Sequence, residues 1–243
     1  MPSAAPREPG SPPWNDEPPW PVITLAEPKP EFRRRRWREL DHEERYRAQH
    51  EELLEIARGL AERNGFAGTQ ISHIVEAAGC SRRTFYAHFG SKEGCFGELM
   101  VRAGALGISK WAEAAENALP HGPYVTMLAI VDAWSSFYFD PVNFPLSPRL
   151  TGSLSAEGHR PGSPLAEPLR VVTTAGAELF FVAARRLGSP LPDDVLRLAA
   201  RIQLNGLVDI IQPLGGGQIS PDKDLLASGL VRALGFADTL SPS

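Results

Sequence analysis

The stretch that most constrains this chain is "AAGCSRRTFYAHFGSKE", residues 77 to 93. Phe85 and Phe89 stand one helical turn apart. At about 100° per residue they share one side of a helix, while Arg82, Arg83, Tyr86 and Ala87 spread over the adjoining arc. Ser81 occupies the N-cap position of this helix of about eight residues. Upstream, Ile71, Ile74, Val75 and Ala78 repeat at helical spacing behind Thr69, an N-cap candidate, and Gly79 suits the left-handed turn that closes a helix. A helix, a short turn containing glycine and a second short helix, apolar inside and basic outside, make a helix-turn-helix. In that motif the second helix enters the DNA major groove.

The residue types suit this placement. Arg82 and Arg83 sit in the first turn, where a guanidinium can donate two hydrogen bonds to guanine O6 and N7, so they are the candidates for base readout. Tyr86 and His88 offer groups at the groove edge. Thr69 and Lys92, each beside a helix start, suit phosphate oxygens. Ser81 and Thr84 complete the candidate DNA-binding set. Taken alone, the two arginines equally describe a solvated basic face.

The surroundings are helical. "EFRRRRWRELDHEERYRAQHEELLEIARGLAERNGF" carries Leu53, Ile56, Ala57, Leu60 and Ala61 at helical spacing until Asn64 and Gly65, and Ser91 caps a helix running past Lys110 toward Leu119. Further helical stretches are predicted near 123–139, 166–187, 192–212 and 221–234. The last is expected to have Ser220 as cap, Pro221 and Asp222 in its first turn and Gly235 just beyond its end. Pro/Gly-rich breaks lie between these stretches, among them "FDPVNFPLSPRLTGSLSAEGHRPGSP". No strand alternation persists. Residues 1 to 30 hold ten prolines without any period, which predicts a disordered tail. The expected fold is all-α, with a disordered Pro-rich and basic tail over 1–40, a three-helix helix-turn-helix domain over 41–105 and a C-terminal helical bundle for ligand binding and dimerisation over 106–243.

"GFAGTQISHIVEAAGCSRRTFYAHFGSKEGCF" closely resembles the DNA-binding signature of the TetR family of bacterial transcriptional regulators. The matching positions are Gly65, Phe66, Thr69, Ala78, Gly79, Ser81, Tyr86, His88, Phe89, Ser91, Lys92 and Glu93. Val75, Cys80, Gly94 and Cys95 depart from the usual pattern, which suggests looser packing of the fourth helix. The resemblance covers about residues 45 to 100. It implies a homodimer on a palindromic double-stranded operator, a C-terminal pocket for a small-molecule effector, and effector binding that changes the separation of two recognition helices. It leaves the effector unnamed and the direction of control open. Repression needs only DNA binding; an activator, a constitutive binder without effector, and a protein-interaction module that has lost DNA binding are the alternatives.

Dimerisation is expected through the last two helices, which carry Val195, Leu198, Ala199, Ile202 and Leu207, then Leu226, Leu230, Ala233 and Leu234, enough apolar surface for two neighbours. Trp111, Tyr124, Trp134, Phe137 and Tyr138 are the candidate effector-pocket residues, and any one of them equally suits a core. Arg33 to Arg36 fit either an arm along DNA phosphates or a solvated stretch. Cys80 and Cys95 flank the second short helix as small buried apolar residues or, less simply, as a thiol switch. His121 and His159 have no partner at metal-ligand spacing, so no metal is expected. No cofactor is expected either: "GGG" at 215–217 lacks the context of a phosphate loop, and no nucleophile elbow or zinc-binding helix occurs, which argues against an enzyme. The net charge of −4 makes any nucleic-acid surface a local patch. Neither an 18-residue apolar run nor a signal-peptide pattern is present, and a cytoplasmic location with no membrane partner is expected.

Overall fold

The computed structural model describes residues 20, 21, 23, 41–139, 146–211 and 222–236, with the backbone alone at 138, 139, 148 and 208–211. All its regular elements are helical: α1 His42–Gly68, α2 Ile71–Ala77, α3 Arg82–Phe89, α4 Lys92–Ala118, α5 Pro123–Phe139, α6 Pro148–Gly158, α7 Ala166–Arg186, α8 Asp193–Ile211 and α9 Lys223–Ala233, with a 3₁₀ turn at Leu119–His121. Asp41 and Glu44 close a reciprocal capping box at the start of α1, and the chain bends at Gly65 before one last turn. The cap before α2 is Gln70, which makes no side-chain capping bond; Thr69 instead ends α1. The Thr69 hydroxyl turns back onto α1 and donates to Gly65 O at 2.8 Å. The last helix is capped by Asp222, whose carboxylate accepts the Leu225 N–H at 3.0 Å, two residues after the expected cap. Ser220 and Pro221 lie outside the described residues.

Helix α6 was not foreseen; its residues read as a break. Ser147 caps it, with the hydroxyl accepting the Leu150 N–H, and Pro148 takes the first turn, where a missing N–H costs nothing. Leu146, Leu150 and Leu154 are buried in the apolar core beneath α1, α4 and the start of α7. Glu62 of α1 accepts the Ser147 N–H at 2.8 Å. Burial of about 1.5–3 kcal/mol per leucine offsets the weak helix propensity of a segment rich in serine and glycine.

Two apolar cores divide the molecule. One joins Leu53, Leu54, Phe66, Ile74, Phe85, Phe96 and Leu99 to α6 and to Leu165 and Leu169. The other joins the far half of α4 to α5, α7, α8 and α9 around Ile108, Trp111, Trp134, Phe180 and Leu196. Helix α4 belongs to both. At 1.5 Å per residue its 27 residues extend about 40 Å, so one rigid rod connects the two cores. Trp20 and Ile23 pack against the second core, a departure from the disordered tail expected for that stretch. An indole and a branched aliphatic carry enough apolar surface to dock even from a proline-rich segment. Arg33 to Arg36 and the 215–217 glycines lie outside the described residues.

Candidate nucleic-acid interface

The turn before α3 follows from Gly79. At φ 62° it takes the left-handed conformation, and the chain reverses with Gly79 N–H on Glu76 O at 3.2 Å and Cys80 N–H on Val75 O at 3.0 Å. These two bonds are the paired closure that a glycine just past a helix end permits. Ser81 then starts α3, its hydroxyl accepting the Thr84 N–H at 3.1 Å, with the two hydroxyls 2.9 Å apart. Phe85, with no exposed surface, and the half-buried Phe89 anchor the inner side, their ring centroids 5.2 Å apart.

The far end of α3 is equally constrained. A Cβ at Gly94 would sit 2.2 Å from Phe89 O, so the last carbonyls of α3 press onto the first turn of α4 at a distance only glycine allows. Cys95 beside it is fully buried. The departures at 94 and 95 therefore accompany tight packing of the fourth helix.

The polar residues of the motif separate into two groups. Arg82, Arg83 and Tyr86 are exposed along one side of α3, and among the described residues none of the three makes a hydrogen bond or ion pair. Thr69, His88 and Lys92 are turned into the protein. Thr69 is completely buried. His88 Nε2 lies 3.1 Å from Gln49 Oε1, and its ring lies on Tyr46 at 4.2 Å, while Tyr46 OH donates to Ala87 O at 3.2 Å. Lys92 Nζ donates to Phe66 O at 2.9 Å and Thr69 O at 3.1 Å and lies over the Phe66 ring, 4.1 Å from its centroid. Its ammonium thus adds a charged donor to carbonyls where α1 ends, of which Phe66 O also accepts the Thr69 N–H at 3.3 Å.

A charged network supports this frame. His50 lies over the Phe89 ring at 4.5 Å and meets Glu98 Oε1 at 2.9 Å; Glu98 accepts from Arg102 at 2.5 Å, and Arg102 donates two bonds to Glu51 at 2.9 and 3.0 Å. Burial pushes the Glu98 carboxyl up, but the hydrogen bond and charge of His50 and the charge of Arg102 outweigh it and hold the group below the ordinary range. Sequence reasoning missed Tyr46, Gln49, Gln70 and His50. A polar residue at the outer edge of α1 gives no local sign of a partner some 40 residues away.

Neither thiol is poised to react. Burial pushes Cys95 up to about 12, and burial followed by the Glu52 charge raises Cys80. Among the described residues no group of histidine, cysteine and acidic side chains could hold a metal ion, and no helix is long and apolar enough to cross a membrane. Of the expected pocket residues, Trp111, Trp134 and Phe137 are buried in the second core, and the half-buried Tyr124 donates its hydroxyl to Asp224 at 2.5 Å. Tyr138 lies on α5 with its side chain outside the described residues.

Two short helices in this relation, the second presenting free arginines on a buried phenylalanine base, define a helix-turn-helix DNA-binding protein. Residues 53–99 match the family model of bacterial regulatory proteins, tetR family. The fold is shared with solved structures that this chain resembles at low identity. Escherichia coli NemR in its reduced form is 15% identical, covering 76% of this chain and 96% of its own, with a TM-score of 0.56. Bacillus subtilis FadR in complex with stearoyl-CoA is 13% identical over 76% and 97%, TM-score 0.53. A TetR transcriptional regulator from Chloroflexus aurantiacus is 21% identical over 77% and 94%, TM-score 0.50. No curated protein matches the chain. Residues 53–99 are thus a DNA-binding domain of the tetR type, and the chain as a whole shares the fold of these solved structures.

Proposed function

We propose that the protein is a homodimeric repressor that occupies a palindromic operator through α3 and leaves it when a small molecule binds the C-terminal bundle. The observation that carries the DNA-binding part is the set of Arg82, Arg83 and Tyr86 on the open side of α3, without hydrogen-bond or ion-pair partners among the described residues. Arg82 and Arg83 read guanine edges, Tyr86 donates to a phosphate, and Ser81 and Thr84 add hydroxyls at the helix start. Behind them His88 ties α3 to Gln49 of α1, Lys92 ties the start of α4 to the end of α1, and Thr69 bonds back to Gly65; the third Nζ–H of Lys92 is its only remaining donor for a phosphate. The functional division is a reading unit over 41–105 and a regulatory unit over 106–243, with α6 and the start of α7 clamped to the reading unit.

Release by a ligand is supported by that clamp. Helix α6 lies against α1, and α4 runs from the recognition unit into the core that holds Trp111, Trp134 and Phe137. A ligand entering among those aromatics parts α4 from α5, and the displaced rod carries the start of α4, with α3 docked on it, out of register with its partner copy. Two copies must present their α3 helices about 34–36 Å apart to fit successive major grooves. FadR, with a similar fold, takes stearoyl-CoA; the ligand of this chain is left open by its own residues.

The partner copy is expected on α8 and α9. Val195, Leu198 and Ile202 on α8 and Leu225 on α9 are exposed large apolar side chains, whereas Leu230 and Leu234, expected from sequence to serve both faces, are buried within the chain.

The test is footprinting on the intergenic DNA upstream of its own gene, across a salt series and with candidate effectors. A protected palindrome lost on adding one ligand supports the reading. Protection insensitive to every ligand indicates a constitutive binder, and no salt-dependent protection at all refutes DNA binding.

A further inference from the structure

The N-terminal segment meets the body of the protein at a place that has a mechanical meaning. Trp20 Nε1–H donates to Glu116 Oε2 at 2.9 Å, and the Arg186 guanidinium lies over the Trp20 ring, 5.1 Å from its centroid. Arg186 and Glu116 are themselves joined twice, Nη2 to Oε1 at 3.0 Å and Nη1 to Oε2. Glu116 stands in the last turn of α4 and Arg186 is the last residue of α7. One indole therefore touches both members of an ion pair that ties two helix ends together, while Trp20 and Ile23 pack on the core those helices share.

We propose that Trp20, with Ile23 beside it, is an intramolecular strap that locks the end of α4 to the end of α7 and so favours one setting of the recognition helix at the other end of α4. The indole N–H must reach α4 while the ring stays under a guanidinium from α7, and both contacts survive at only one relative placement of the two helices. A conformer that slides α4 along α7 loses one of them. Docking and the α4–α7 arrangement are thus linked, and whatever favours the displaced arrangement weakens docking by the same factor.

The occupant is this chain's own segment. Residues 24 to 40 connect the strap to α1. Fully extended they span roughly 55–60 Å, more than the length of α4, so one chain can supply its own strap. Prolines at 18, 19 and 21 restrict the backbone before docking, which lowers the entropy lost on binding. The local contacts stand independently of the proposed function; the consequence for α3 rests on it.

Two measurements test the two parts. Amide hydrogen exchange compares the full chain with a chain lacking residues 1–30, with Trp20→Ala and with Trp20→Phe, each first shown by thermal melting to be folded. Exchange in the last turns of α4 and α7 is expected to rise several-fold on truncation and in Trp20→Ala, and less in Trp20→Phe, which keeps a ring and loses the N–H. Amides of α2 and α3 should be unaffected in free protein. Equal exchange at the ends of α4 and α7 in all four proteins overturns the strap. Titration of the footprinted operator then reads the linkage: Trp20→Ala is expected to change affinity at least threefold with an unchanged salt slope, and identical affinity overturns the coupling to α3. If the full chain itself binds no operator, the proposed function has failed, while the exchange data still decide the strap.

Discussion

Two glycines separate a surface that faces water from one that faces a second copy. Five helical glycines have a reason within the chain: an added Cβ would meet Pro168 from Gly97, Val172 from Gly104, Phe137 from Gly107, Leu169 from Gly158 and Leu204 from Gly176, each at 2.9 Å or less. Gly206 in α8 and Gly229 in α9 have none, since a Cβ there meets nothing within 4 Å among the described residues. A helix-interior glycine costs about 0.8–1 kcal/mol relative to alanine. In an isolated subunit, Gly206→Ala and Gly229→Ala should therefore each stabilise by roughly that amount. If a partner helix lies against these positions, the new methyl overpacks the contact at about 1–3 kcal/mol. A twofold interface counts it twice. Because helix propensity is equal in folded monomer and dimer, association alone bears a penalty of about 2–6 kcal/mol, a 30-fold or larger rise in the dimer dissociation constant. Sedimentation over nanomolar to micromolar concentrations reads the association, and melts at the lowest concentration read the subunit. Alanine variants that melt higher and dimerise as before would show that no chain packs on that face, and the interface proposed on α8 and α9 would be wrong.

The exposed leucines give the complementary test: Leu198→Glu or Leu225→Glu, each removing about 1–2 kcal/mol of burial per copy, should dissociate the dimer without lowering helix content, as sedimentation and circular dichroism would register. Arg82→Ala or Arg83→Ala should cost roughly 1–3 kcal/mol on the operator and relax discrimination at one base position per half-site, whereas Tyr86→Phe should weaken operator and random duplex alike; competition titrations distinguish the two, and full discrimination in both arginine variants would refute the reading head. Lys92→Met should lower the melting temperature through the loss of two bonds to buried carbonyls, about 1.5–3 kcal/mol each at most, and a variant of unchanged stability would return Lys92 to the DNA surface. Because the Glu98 pKa is depressed by folding, its contribution is present above the ordinary glutamate range and is lost as pH falls through the lower folded value; Glu98→Gln should flatten that acid limb in pH-dependent melts, and an identical limb would show that the network does not act.

What the sequence disclosed and what it hid follow from the range of the forces involved. Helix α3 was legible because its cap, its paired phenylalanines and the glycine turn before it all act within ten residues. Helix α6 was hidden because the serines and glycines inside it weaken a helix locally, so that its Ser147 cap and first-turn Pro148 were not followed by a strong helical run, and burial of Leu146, Leu150 and Leu154 beneath α1 supplies the rest. The same distinction runs through the polar residues of the motif. Residue type marked Thr69, His88 and Lys92 as able to hydrogen-bond, but the direction of His88 and Lys92 depended on Gln49 and Phe66 O, 39 and 26 residues away, and that of Thr69 on the bend at Gly65, whose carbonyl it meets four residues back. Arg82 and Arg83 were legible for the opposite reason: among the described residues they have no hydrogen-bond or ion-pair partner, and they keep the outward position inferred from helical spacing. Phe85 and the Gly94 contact hold α3 so closely that a shift of α4 would carry the two arginines with it, so the proposed release by a ligand is expected to act through the long helix rather than through any single contact on the DNA face.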